Sequence, residues 1–140
     1  MTRLLVVDDD ARALQAMGAV LSRYETVCLG SSPDALAAVA AGGRFDAAVF
    51  DYRMPVLDGF QLQDAVAVHD PVLATRVVFV TGSPEIFRLA TQRGVLVPKP
   101  FTAQQLLRAV AQALDAPASS SVVEAESVED PDTAPTWNDT

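Results

Sequence analysis

The run Leu4-Leu5-Val6-Val7-Asp8-Asp9-Asp10 carries four apolar side chains straight into three carboxylates. An apolar run of this length without alternation is what a strand covered on both faces looks like, and the aspartates mark where it stops. The arrangement recurs downstream. Ala47-Ala48-Val49-Phe50 ends in Asp51, Val77-Val78-Phe79-Val80 ends in Thr81-Gly82, and Val95-Leu96-Val97 is followed by Pro98-Lys99-Pro100. A weaker run, Thr26-Val27-Cys28-Leu29, is followed by nothing of comparable chemistry, which predicts a peripheral place in the sheet. Between the runs the apolar residues step by three and four: Leu14, Met17 and Leu21; Leu36, Val39 and Ala40; Leu106, Val110 and Leu114. That spacing predicts helices. Ser32-Pro33 and Ser83-Pro84-Glu85 supply capping hydroxyls ahead of a proline at the first helical position. Thr102 with Gln105 forms a capping box, Asp10 caps the first helix, and Asp58-Gly59 turns into a helix over about 60–68. Five strands alternating with five helices predict an α/β fold built on a single doubly wound parallel sheet.

Composition bounds the rest. The chain has 140 residues, 50% hydrophobic and 20% charged, which suits one packed domain and argues against wholesale disorder. Its single cysteine, Cys28, excludes an internal disulfide and points to a reducing, cytoplasmic setting. The net charge of -8 is uneven: residues 117–140 hold six acids and no base, whereas residues 1–116 hold 12 acids against 10 bases. The expected division is a folded domain over 1–116 and a flexible acidic tail over 117–140. Charge of this sign excludes direct nucleic-acid binding driven by phosphate contacts. The longest apolar run, Ala35 to Ala41, is too short for a membrane span, and the N-terminus lacks the apolar stretch of a signal peptide. The chain is expected to stand alone, starting at its first strand and ending in its tail, with no kinase or output domain attached.

In a parallel sheet the carboxyl ends of all strands lie on one edge, and ligands bind there where the strand order reverses. Asp8, Asp9, Asp51, Thr81 and Lys99 are therefore brought toward a single crevice. Two carboxylates about 4 Å apart repel by roughly 4 kcal/mol at an effective dielectric of 20, so the cluster calls for a cation or for protons. Oxygen ligands without His or Cys select Mg²⁺ or a similar hard ion. Lys99, the only lysine among 10 bases, is a compact charge suited to a small anion. A metal, an ammonium and a hydroxyl around a carboxylate make a site for phosphoryl transfer onto that carboxylate.

The segments Val6-Val7-Asp8-Asp9, Val49-Phe50-Asp51-Tyr52-Arg53-Met54-Pro55 with Asp58-Gly59, Val80-Thr81-Gly82 and Lys99-Pro100-Phe101 resemble the receiver domain of two-component response regulators, over about 1–115. Around Arg76–Gly82 and Gly94–Phe101 the likeness is closest to receivers attached to hybrid histidine kinases. The resemblance implies a CheY-like, flavodoxin-like (βα)5 sheet with strand order 2-1-3-4-5. It also implies that Asp51 accepts a phosphoryl group from the phosphohistidine of a histidine kinase or phosphotransfer protein. Asp8, Asp9, Asp51 and the backbone carbonyl of Arg53 would hold Mg²⁺, Lys99 would pair with the phosphoryl oxygens, and Thr81 would swing toward them. The Lys99-Pro100 bond is expected to be cis. Such a chain modifies only itself, is not an enzyme on outside substrates, and alters a surface read by a downstream protein not identified by the sequence. Receivers often dimerise through the face formed here by 84–114, which makes that face the place for a homodimer without the sequence deciding the oligomeric state.

One departure stands out: the position three before Lys99, a Tyr or Phe in the best-known receivers, is Leu96. The signal is therefore expected to leave through backbone shifts near 82–88 and the following helix. Rival readings are weaker. A haloacid-dehalogenase-type phosphatase would use Asp8-x-Asp10, but Arg12 replaces the small residue expected there. A flavodoxin-like electron carrier would need phosphate-binding N–H and O–H donors where three aspartates stand. A pseudo-receiver that never carries phosphate is the remaining alternative. Outside the pocket, Asp10 reads as a cap and His69 as a solvated loop residue. Cys28 reads as a small strand hydrophobe, Phe60, Phe79, Phe87 and Phe101 as packing, and Trp137 as an exposed tail residue.

Overall fold

A computed structural model describes residues 1–116; the expectations for the tail and for Trp137 lie outside the described residues. The strands are β1 (Arg3–Val7), β2 (Glu25–Leu29), β3 (Ala47–Asp51), β4 (Val77–Thr81) and β5 (Val95–Pro98). The helices are α1 (Ala11–Val20), α2 (Ser32–Ala40), α3 (Gly59–His69), a four-residue α4 (Pro71–Ala74), α5 (Phe87–Arg93) and α6 (Ala103–Leu114). All strand pairs are parallel, in the order β2-β1-β3-β4-β5, as expected of a (βα)5 flavodoxin-like sheet.

The apolar runs are buried on both faces because alternate residues serve different layers. Leu5, Val7, Ala48, Phe50, Val77 and Phe79 face α2, α3, α4 and α5. Leu4, Val6, Ala47, Val49, Val78 and Val80 face α1 and α6. Every residue of β1 beyond Arg3, and every residue of β3 and β4, is buried. β2 sits at the edge, and there Cys28 is in the strand as expected but exposed rather than packed. Among the described residues no helix is long and apolar enough to cross a membrane.

Several local readings hold. Asp10 caps α1, Thr102 with Gln105 forms a capping box on α6, and the Asp58-Gly59 turn leads into α3, where the structure adds a second capping box between Asp58 and Gln61. Two are corrected. The cap of α2 is Ser31, whose hydroxyl accepts from Asp34 N–H, so Pro33 stands one position later than expected. Ser32 is instead buried, its hydroxyl donating to the Pro55 carbonyl (3.1 Å) and accepting from Leu57 N–H (3.2 Å). It thereby clamps the loop after β3, where Leu57 N–H donates back to the Pro55 carbonyl and Val56 is forced to φ 73. A β-branched residue rarely adopts that conformation. Ser83 makes no capping hydrogen bond. The helix expected from residue 84 begins as a 3-10 turn (Pro84–Ile86) before α5. His69 is exposed as expected but ends α3 rather than lying in a loop.

Gly94 joins α5 to β5 at close quarters. A Cβ there would lie 2.4 Å from the Val77 carbonyl oxygen and 3.1 Å from the Phe79 ring. Backbone cannot yield as a flexible side chain would, so β5 would have to shift away from β4. Gly94→Ala is expected to destabilise the domain by about 1–3 kcal/mol, measured by urea denaturation; an unchanged midpoint would contradict the close approach.

Candidate phosphoacceptor site

β1, β3, β4 and β5 end side by side, and their last residues converge. Asp8 follows β1 and is fully buried, Asp51 ends β3 and is 6% exposed, Thr81 ends β4 and is 3% exposed, and Asp9 is exposed at the rim. One oxygen from each of Asp8, Asp9 and Asp51 lies within 4.8 Å of the others. Lys99 Nζ donates to Asp51 Oδ1 at 3.0 Å and stands 3.9 Å from Asp8 Oδ2. The Lys99-Pro100 peptide is cis, as expected. Lys99 N–H is anchored by the Thr81 carbonyl (2.8 Å), which fixes where the lysine stem starts. Gly59 lets α3 press on the end of β3: a Cβ there would be 3.0 Å from the Asp51 carbonyl oxygen.

The electrostatics derive from burial. Asp8 is raised from 3.8 to about 6, first by desolvation and then by the Asp51 charge, against a hydrogen bond from Asp10 N–H to Oδ1 (2.9 Å). Asp51 is raised by burial, opposed by the hydrogen bond and charge of Lys99. Three carboxyl groups face one ammonium, and Asp8 Oδ2 is buried without a hydrogen-bond partner. An orphaned acceptor beside two further carboxylates is what a hard cation satisfies, so these residues fit a divalent oxygen-liganded ion.

Thr81 Oγ1 accepts from Ser83 N–H at 3.0 Å, which leaves the hydroxyl proton available to donate. A strap that sequence reading missed crosses the mouth. Arg53 Nε donates to Ser83 Oγ at 2.8 Å, and its guanidinium pairs with Glu85 at 2.9 Å. Arg53 was expected to matter through its backbone carbonyl; its side chain ties the loop after β3 to the loop after β4. The partners lie 30 and 32 residues apart in sequence, and only their spacing of two residues from Asp51 and from Thr81 hinted at Arg53 and Ser83. Leu96 is half-buried in the same apolar layer as Phe79. An aromatic group stands nearby all the same, with Phe60 between Tyr52 (4.8 Å) and Phe79 (5.0 Å). The Arg93 guanidinium stacks on Phe60 at 4.9 Å and also reaches Gln63 Oε1 (2.7 Å) and Asp64.

Comparison with known proteins agrees with this geometry. A crystal structure of the chemotaxis protein CheY4 of Vibrio cholerae superposes with a TM-score of 0.70 at 29% identity, covering 81% of this chain and 98% of that one. A response regulator receiver protein of Anaeromyxobacter sp. (strain Fw109-5) is 28% identical over 110 residues, 76% of this chain and 46% of the relative. A probable histidine kinase 5 of Oryza sativa subsp. japonica is 28% identical over 143 residues, 83% of this chain. The chain thus spans less than half of the length of these two relatives, 46% and 12%. The family model described as response regulator receiver domain matches residues 4–111, and the chain belongs to that family of two-component signalling domains.

Proposed function

We propose that this chain is a phosphoacceptor response regulator in which Asp51 takes a phosphoryl group from the phosphohistidine of a histidine kinase or phosphotransfer protein. The observation that supports it is the buried Asp51 carboxylate, 3.0 Å from the Lys99 ammonium and clustered with Asp8 and Asp9. Lys99 engages Oδ1, which leaves Oδ2 to attack phosphorus as the phosphorus–nitrogen bond to imidazole breaks and the imidazole leaves with its electron pair. Asp8, Asp9, Asp51 and the Arg53 carbonyl would hold Mg²⁺, which when bound neutralises charge on the transferring group. Lys99 then pairs with the phosphoryl oxygens, and Thr81 turns its hydroxyl proton toward them.

The signal leaves through residues 82–88 and α5. Ser83 attaches the start of this segment to the pocket, while Arg93 anchors its end to α3. The output surface is α5 with β5 and α6, read by a downstream protein or by a second copy through the 84–114 face. A groove of about 220 Å³ along β5 and α6 lies there, lined by Leu96, Pro98, Arg108 and Gln112. The signalling unit is 1–116 with an acidic tail over 117–140, it works in the cytoplasm, and it acts on no outside substrate.

The test is intact-mass measurement after incubation with acetyl phosphate. The mass of one phosphoryl group is expected to be added with Mg²⁺ and lost with EDTA; no addition under either condition would leave the pseudo-receiver reading. The strap has its own consequence. Glu85→Gln removes an exposed ion pair, so stability is expected to change by less than about 1 kcal/mol. The same change takes one negative charge from the mouth through which an anionic donor enters, so the phosphorylation rate is expected to rise by about threefold at low salt. Rates that match the wild type in stopped-flow with acetyl phosphate would remove the strap from the mechanism.

A further inference from the structure

At the opposite edge of the sheet, where the strands begin, lies a cleft of about 620 Å³. Its lining includes Arg3, Arg44 and Arg76, three of the chain's nine arginines, together with His69. Two carboxylates share the wall, and both are engaged by backbone: Asp46 Oδ2 accepts from Arg3 N–H (2.8 Å), and Asp70 Oδ1 accepts from Leu73 N–H (3.0 Å). Arg3 pairs with Glu25 at 3.2 Å and stacks on Phe45. Arg44 is exposed and has no ion-pair partner among the described residues. Arg76 donates through Nε to the Ala116 carbonyl at 3.2 Å, so Ala116 lies at the lip of this cleft.

The sequence beyond Ala116 carries the opposite charge. Residues 117–140 include Glu124, Glu126, Glu129, Asp130 and Asp132 and no base. Seven residues lie between Ala116 and Glu124, and an extended chain spans at most about 3.3–3.6 Å per residue, ample to return across the cleft. Val122 and Val123, just before the acids, match the apolar part of the lining at Val39, Phe45 and Val72. Because the two are joined, a contact between them would be intramolecular and would need little affinity of its own.

We propose that the acidic segment Glu124–Asp132 of this chain docks in the cleft formed by Arg3, Arg44, His69 and Arg76, on the face opposite Asp51. The contact holds the segment's negative charge away from the phosphoacceptor pocket, where it would compete for the metal and repel an anionic donor. Docking requires no phosphoryl group on Asp51.

The test is amide spectra of the full-length ¹⁵N-labelled chain, wild type against a chain carrying E124Q, E126Q, E129Q, D130N and D132N together. At about 10 mM salt, where screening extends about 30 Å, amides of Arg44, Phe45, His69 and Arg76 are expected to differ between the two chains. Those of Asp8, Asp51 and Lys99 are expected to coincide. At about 1 M salt, where screening extends about 3 Å, the difference is expected to vanish. Arg44→Glu in the full chain, which changes an exposed side chain and leaves the pocket intact, is expected to shift the amides of Glu124–Asp132. Four results would overturn the proposal: coincident cleft amides at low salt; differences that map to the Asp51 pocket or the α5 face; cleft differences that fade on dilution, which would place a second copy's segment there; or cleft amides that respond only to added inorganic pyrophosphate.

Discussion

The chain carrying Asp51→Ala is expected to gain no phosphoryl mass from acetyl phosphate and Mg²⁺ under conditions that modify the wild type. Three carboxylates share the pocket, but their surroundings differ. Asp8 is fully buried, with Oδ1 held by Asp10 N–H and Oδ2 pointing at its neighbours rather than outward. Asp9 is exposed and has no lysine against it. Asp51 alone combines a hydrogen bond from Lys99 with a place at the end of a central strand. Charge developing on the transferred oxygens is met only there, and loss of a positioned nucleophile with its electrostatic partner costs about 10³-fold or more in rate. Misfolding would not account for the loss, because burial works against the Asp51 charge and its removal relieves the fold. Thermal melting of the variant at or above the wild-type midpoint checks that point. A phosphoryl group found on Asp9 in the variant would show instead that the pocket, not Asp51, selects the acceptor.

Much of this site was legible before any coordinate, for a physical reason. A parallel sheet sends every strand's carboxyl end to one edge, so the residue after each buried run is placed by topology alone. Asp8, Asp51, Thr81 and Lys99 needed nothing more. Caps such as Asp10 and Thr102 were legible because they act on backbone within three residues.

Features that escaped the sequence depend on loops meeting in space. Ser83 has the spacing of a cap, yet its hydroxyl receives Arg53 from a loop 30 residues away. Ser31 and Ser32 are chemically equal in sequence. Only the strained turn at Val56, which needs a buried hydroxyl to hold its ends, decides that Ser32 faces inward and Ser31 caps. Cys28 lies in an apolar run, but an edge strand leaves part of its outer face uncovered, and apolar character alone does not say which part. The stacking of Arg93 on Phe60 gives α5 an aromatic anchor that Leu96 does not supply, through two side chains 33 residues apart that only the fold brings together.

Asp8→Asn is expected to act on stability and on metal binding in opposite directions. The Asp8 carboxyl is raised from 3.8 to about 6 in the folded chain, mainly by desolvation. The folded state therefore binds a proton more tightly than the unfolded chain, and stability falls as pH rises from about 4 to about 6. The loss is complete above that window. At 1.36 kcal/mol per unit the fold carries a penalty of about 3 kcal/mol at neutral pH without metal. Asparagine removes the charge while its carbonyl oxygen keeps the hydrogen bond from Asp10 N–H, and its amide can donate toward Asp51. The metal-free variant is expected to be more stable than the wild type by about 1–3 kcal/mol at pH 7 and equal to it near pH 4. Urea denaturation in EDTA at the two pH values measures this. With Mg²⁺ the order reverses: the wild type gains stability in proportion to the logarithm of the ion concentration above its Kd. The variant, with one carboxylate fewer, is expected to bind at least about tenfold more weakly by calorimetry. A variant less stable than the wild type in EDTA at pH 7 would mean that the Asp8 charge is compensated within the protein, and the buried cluster would then have no need of a cation.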